Sequence, residues 1–90
     1  MRIERIEKQD IYIKVLESIM NLVYASNHGD RLPSERELSE RLGVARSTIR
    51  EAIRSLAFMG VLDVKQGGGV FVNTLDDSSF AKMLEMGLLL

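Results

Sequence analysis

The chain alternates between stretches in which apolar residues recur every three or four positions and short breaks that are polar or rich in glycine. The first stretch predicts an α-helix from Asp10, a suitable N-cap, to Ser26, and Asn27 to Asp30 predict the turn that ends it. The apolar positions of this helix are Ile11, Val15, Ile19, Leu22 and Val23.

A second, shorter helix is predicted after a proline. Pro33 disfavours the helical region at the residue before it, so residues 31–33 predict a short extended segment. Ser34 and Glu37 have the spacing of a capping box, and Gly43 suits the left-handed position that follows a last helical turn. We therefore expect a helix of about two turns in between, with Leu38 and Leu42 facing inward.

The third helix is predicted from Arg46 to Met59, with Gly60 as its end and Val44 as a buried turn residue before it. Its apolar stripe consists of Ile49, Ala52, Ile53 and Leu56.

Two β-branched runs follow, at residues 61–64 and 70–72, around a loop with three consecutive glycines. This pattern predicts a β-hairpin. The order of elements, α-β-α-α-β-β, is that of a mainly α fold with a small β-hairpin, the winged helix-turn-helix. We assign it to residues 10–73, with residues 1–9 as an N-terminal arm.

Residues 74–90 are expected to form a linker and the start of a truncated helical effector and dimerisation domain. The linker is polar at residues 76–79, and apolar residues then recur at helical spacing. They are Phe80, Met83, Leu84 and Leu88.

In a helix-turn-helix, the first residues of the third helix face the major groove of DNA. Here Arg46 and Arg50 share a face because they are four residues apart, and the hydroxyls of Ser47 and Thr48 are expected beside them. Arginine is the side chain that most often hydrogen-bonds to guanine O6 and N7. The alternative is a solvated helix end on which Glu51 pairs with a neighbour.

The glycine-rich loop lets the backbone approach phosphate or enter a minor groove. Gln66 and Gly67 are its candidate contacts. No Gly-Lys-Ser/Thr follows, so a nucleotide-binding loop is not indicated.

The 90 residues have a net charge of −1, which is unusual for a DNA-binding domain. The distribution differs from the total: residues 31–72 contain seven Lys/Arg and five Asp/Glu, a local charge of +2. There is no cysteine, no apolar N-terminal run and no stretch long enough to span a bilayer, so we expect a soluble cytoplasmic protein without a membrane partner. No spacing predicts a metal, a cofactor or a catalytic site.

Three motifs together resemble the GntR family of bacterial transcription regulators. They are Leu-Pro-Ser-Glu-Arg-Glu-Leu at residues 32–38, Arg-Ser-Thr-Ile-Arg-Glu-Ala-Ile at residues 46–53 and Gln-Gly-Gly-Gly-Val-Phe-Val at residues 66–72. The resemblance implies DNA contacts by Arg36, by the third-helix residues named above and by Gln66 and Gly67. Two positions depart from it: Ala45 replaces a common Ser or Thr cap, and Gly68 replaces a frequent arginine.

The tail from Phe80 is similar to the start of the helical effector domain of the FadR-like branch. The resemblance therefore implies a sequence-specific repressor that binds a palindromic operator in double-stranded DNA, as a homodimer controlled by a small-molecule effector. Two alternatives remain at this point: a winged-helix protein-interaction module, and the DNA-binding front end of an aminotransferase-like fusion. The chain itself is not expected to be an enzyme, and in the fusion the catalytic lysine and cofactor would lie beyond Leu90.

Overall fold

A computed structural model describes residues 8–73 and, after them, residues 81, 82, 84, 85 and 87. The predicted mainly α fold with a small hairpin is confirmed. The prediction that Asp10 caps the first helix is wrong, because Asp10 lies within that helix. The elements are α1 (Lys8–Tyr24), α2 (Glu35–Leu42), α3 (Arg46–Phe58), β1 (Leu62–Lys65) and β2 (Gly69–Val72).

The core lies between α1, α3 and the hairpin. The predicted stripe of α3 is buried, with Ile49, Ala52 and Leu56 at 0% exposure. Leu16 and Ile19 of α1 meet it from the other side and are equally buried. Each large side chain in this set contributes about 1.5–3 kcal/mol by leaving water, so the α1–α3 contact provides much of the stability that holds α3 in place.

The second helix is less deeply embedded than expected. Leu38 is buried as predicted, but Leu42 is 37% exposed, so the expectation that both face inward is wrong for Leu42. Leu42 lies in the last turn of α2, where it lines a shallow groove with Ile11 and Val15 of α1. Val44, expected to be buried, is half-buried.

The wing is a two-stranded sheet, extended at one edge by a single bridge. β1 and β2 pair antiparallel, with Leu62 opposite Val72 and Lys65 opposite Gly69. The predicted extended segment adds to the free edge of β2 through a bridge between Arg31 and Phe71. This bridge ties the connection between α1 and α2 to the hairpin.

The predicted linker and most of the predicted apolar tail lie outside the described residues, including Phe80, Met83 and Leu88. Of the tail residues that the structure describes, Leu84 is 62% exposed. The Lys82 ammonium lies 5.3 Å from the centre of the Phe58 ring at the end of α3.

Candidate nucleic-acid interface

Local hydrogen bonds define both ends of α2. The Ser34 hydroxyl accepts a hydrogen bond from the Glu37 amide at 3.1 Å and caps the N-terminus. At the other end Gly43 has φ +68°, and its amide donates to the Ser39 carbonyl. The Ser39 hydroxyl donates to the Val44 carbonyl at 2.6 Å. The bonds at Gly43 and Val44 close a tight turn between α2 and α3, which is the geometry that lets α2 support α3 in a helix-turn-helix.

The exposed face of α3 carries the polar side chains. Arg46, Ser47 and Arg50 are all exposed, as predicted from their spacing. Ser47, Arg50, Glu51 and Arg54 line a shallow polar depression along this face. The face therefore extends one turn further than predicted, to Arg54, which follows Ser47 and Arg50 at helical spacing.

Thr48 is an exception to the predicted face. It is only 8% exposed, so the expectation that its hydroxyl lies beside the two arginines is wrong. Its position explains this, since Thr48 is one helical turn before the buried Ala52 and therefore points to the same side of α3.

A carboxylate from α2 holds both arginines. Arg46 donates from Nε to Glu35 Oε1 at 3.2 Å. Arg50 donates from Nε to Oε2 at 3.0 Å and from Nη2 to Oε1 at 2.7 Å, a bidentate pair. The Glu35 side chain is 23% exposed, whereas those of Arg46 and Arg50 are 59% and 51% exposed. Glu51, the acidic partner that the alternative interpretation required, forms no ion pair within residues 8–73.

These contacts change the protonation equilibria of the pair. The hydrogen bonds from Arg50 lower the pKa of the Glu35 carboxyl below its ordinary value. The Arg46 hydrogen bond and both guanidinium charges act in the same direction, while partial burial opposes them. Reciprocally, Glu35 raises the pKa of Arg50. Glu35 is thus a carboxylate and Arg50 a guanidinium at neutral pH.

Arg36 follows Glu35 on α2 but takes part in a different contact. Its Nε lies 3.2 Å from Glu40 Oε1, and both side chains are well exposed. An exposed pair at this i,i+4 spacing contributes only about 0.3–0.5 kcal/mol. Arg36 can therefore leave Glu40 for another anion at little cost.

The tip of the wing holds Gln66 and Gly67, both exposed and both on a separate element from α2 and α3. Gly67 has φ +72°, a left-handed conformation that favours glycine. The Gly68 amide donates to the Lys65 carbonyl at 2.9 Å and closes the turn. At Gly67 and Gly68, consequently, no side chain covers the backbone of the tip.

Arg31 was not predicted as a site residue, yet it lies against the wing. A Cβ added at Gly69 would be 2.6 Å from Arg31 Nε, so the guanidinium occupies the space that a side chain would fill there. Lys65 lies opposite Gly69 in the hairpin, and its ammonium is 5.1 Å from the centre of the Phe71 ring. The bridge between Arg31 and Phe71 places Arg31 at the wing, and no spacing in the sequence indicates a pairing between residues so far apart.

Within the described part of the chain, no group of three or more His, Cys, Asp or Glu residues is arranged to hold a metal ion. Among the same residues, no helix is long and apolar enough to cross a membrane.

Three helices with a tight α2–α3 turn, an exposed basic face on α3 and a glycine-tipped hairpin define a winged helix-turn-helix protein. The sequence profile described as "Bacterial regulatory proteins, gntR family" matches residues 7–72, well over half of the chain. The chain belongs to the gntR family.

Two curated relatives illustrate the similarity. The chain is 36% identical over 80 residues to the HTH-type transcriptional regulator GgaR of Escherichia coli K12, a match that covers 87% of the chain and 32% of GgaR. It is 42% identical over 71 residues to the fatty acid metabolism regulator protein of Enterobacter sp. strain 638, covering 79% and 29%. The chain thus spans about a third of the length of these relatives.

A solved structure shows the same fold. The crystal structure of AraR(DBD) in complex with operator ORX1 superposes with a TM-score of 0.67 at 33% identity. The similarity covers 79% of this chain and 92% of the AraR chain.

Proposed function

We propose that this chain is a sequence-specific DNA-binding module of a bacterial transcription regulator. The observation that carries the proposal is the exposed face of α3, where Arg46, Ser47, Arg50 and Arg54 project from the helix that the tight turn positions. Guanidinium and hydroxyl groups on such a helix suit base edges and phosphates of the major groove. The related AraR domain is described in complex with operator DNA, which supports the same ligand class here.

The three parts of the interface take different roles. Arg46 and Arg50 hydrogen-bond to base edges, with Arg46 dominant because it lies at the start of the helix. Arg36, held only by a weak surface pair, binds phosphate. Gln66 and Gly67 contact the minor groove or the backbone, since the bare wing tip permits close approach.

The complete regulator is proposed to extend beyond this module. Residues 10–73 form the DNA-binding unit, and residues 74–90 lead into a helical domain that dimerises and binds a small-molecule effector. A symmetric dimer would place two such modules on the half-sites of a palindromic operator. We propose that the regulator is a cytoplasmic repressor and not an enzyme.

Selection from a random duplex library by this chain, followed by anisotropy titrations at fixed salt, tests the proposal. A scrambled duplex of the same composition should bind at least about tenfold more weakly than the selected one, since a single mismatch costs ~1–3 kcal/mol. Arg46→Ala should reduce this difference in affinity, whereas Arg41→Ala, which changes an exposed arginine of α2 outside the proposed interface, should not. Failure to enrich any sequence would contradict the proposal.

Dimerisation is tested by sedimentation. The 90-residue chain should be largely monomeric in analytical ultracentrifugation and should bind one half-site about as well as a palindrome. A longer chain with the helical domain should prefer the palindrome, because two linked modules bind with a high effective concentration. A tight dimer of the 90-residue chain without DNA would place the dimer contacts within these residues instead.

A further inference from the structure

Glu35 hydrogen-bonds to both arginines of the exposed α3 face. Its side chain is the most buried of the three, and its two oxygens accept three hydrogen bonds from Arg46 and Arg50. The three groups together carry a charge of +1, where the arginines alone would carry +2.

The two arginines are held differently by this carboxylate. Arg50 uses Nε and Nη2, the edge of the guanidinium that also binds phosphate or carboxylate in a bidentate manner. Arg46 uses only Nε, so both of its Nη groups are left for a ligand. Two adjacent Nη groups match the spacing of O6 and N7 on guanine. Glu35 thus keeps Nε and Nη2 of Arg50 from binding phosphate, while both Nη groups of Arg46 can bind a base.

We propose that Glu35 is a positioning residue that sets DNA specificity by fixing Arg46 toward a guanine edge and by competing with non-specific phosphates for Arg50. This inference rests on the proposed DNA-binding function. It explains why an acidic residue lies at the centre of a basic surface. A carboxylate here weakens binding to arbitrary phosphates but preorganises the contact that distinguishes bases.

Glu35→Gln is the direct test, because it removes the charge and keeps the size of the side chain. Affinities are measured for the selected duplex and for its scrambled version over a range of salt concentrations. The ratio of the two affinities should fall by about tenfold, the value expected when one good base contact loses its geometry. Affinity for the scrambled duplex should rise, and its salt dependence should steepen by about one phosphate contact.

Glu37→Gln is the matched control. Glu37 lies on the same helix and its loss changes the net charge equally, but its carboxylate lies 3.7 Å from Arg41 and is not part of the Glu35 pair. This variant should keep the wild-type affinity ratio. If both variants keep it, or if both lose it equally, the role of Glu35 is refuted.

A third variant separates the position of the carboxylate from its charge. Glu35→Asp retains the charge but withdraws the carboxylate by one methylene, so the Arg50 Nε–H resonance should shift and the affinity ratio should fall part of the way. An unchanged ratio together with a shifted resonance would also refute the inference. If the wild-type chain enriches no sequence at all, the proposed DNA-binding function is wrong. That outcome is distinct from a wild-type chain that selects a sequence and a Glu35→Gln variant that keeps the same affinity ratio.

Discussion

Arg50 on α3 and Glu35 on α2 are 15 residues apart in sequence, yet they form a bidentate ion pair with hydrogen bonds of 2.7 and 3.0 Å. The pair links the two helices of the helix-turn-helix at their surface, while Leu38 of α2 and Ile49 of α3 lie in the buried core. Because the carboxylate is titratable, the link between α2 and α3 depends on pH.

The ionised Glu35 carboxylate should therefore increase the free energy of unfolding at pH values above its pKa. A carboxyl whose pKa is lower in the folded than in the unfolded state stabilises the fold above the unfolded value, and this contribution is lost as the pH falls through the folded value. Wild type should be more stable than Glu35→Gln at pH 7 and lose that advantage below about pH 4. Urea unfolding of both proteins from pH 7 to pH 3 measures this. A difference that stays constant over the whole range would contradict it.

The N-terminus of α3 lacks a side-chain cap. Ala45 has the extended backbone of an N-cap residue, φ −63° and ψ 145°, but no side-chain oxygen to accept a hydrogen bond. Ala45→Thr should therefore be more stable than Ala45→Val by ~1 kcal/mol, since the two side chains have the same shape and only threonine can cap. Denaturant unfolding compares the pair. Equal stability would mean that the first turn of α3 is satisfied in another way.

Two leucines provide a matched test of the packing. Leu56 of α3 is fully buried and Leu42 of α2 is 37% exposed. Leu56→Ala should cost ~2–5 kcal/mol because it leaves a cavity in the core. Leu42→Ala should cost about 1 kcal/mol or less, since much of this side chain already meets water. Comparable losses in thermal or urea unfolding would show that Leu42 is covered in solution.

Arg36 and Arg41 are exposed arginines on the same helix, each in an i,i+4 ion pair. Arg36→Ala should weaken binding to the selected and scrambled duplexes by the same factor and reduce the salt dependence by about one contact, as expected for a phosphate ligand. Arg41→Ala should leave both affinities near those of wild type. A loss confined to the selected duplex would instead assign Arg36 to a base.

Local sequence patterns predicted the elements well because local physics determines them. Ser34 caps α2 and Gly43 is left-handed, as their spacing indicated, and the apolar stripe of α3 is buried. The burial of Thr48 was also accessible from the sequence, since it precedes Ala52 by one turn.

What could not be predicted depends on contacts between distant residues. The pairing of Glu35 with Arg46 and Arg50 spans 11 and 15 residues and follows from the angle at which α2 crosses α3, which no periodicity contains. Leu42 follows Leu38 at helical spacing, so the pattern predicts that both leucines face inward. Its exposure arises because it lies at the end of α2, over a shallow groove beside α1 rather than in the core.

The bridge between residues 30–32 and β2 has a consequence for hydrogen exchange. The Leu32 amide donates to the Val70 carbonyl at 2.9 Å, and the Val72 amide donates to the Asp30 carbonyl at 2.8 Å. When β2 separates from residues 30–32, the connection between α1 and α2 loses both of these hydrogen bonds at the same moment. The amides of Leu32 and Val72 should therefore exchange with solvent deuterium at similar rates, as one cooperative unit. The wing then opens and closes together with the segment that leads into α2, rather than as a separate arm.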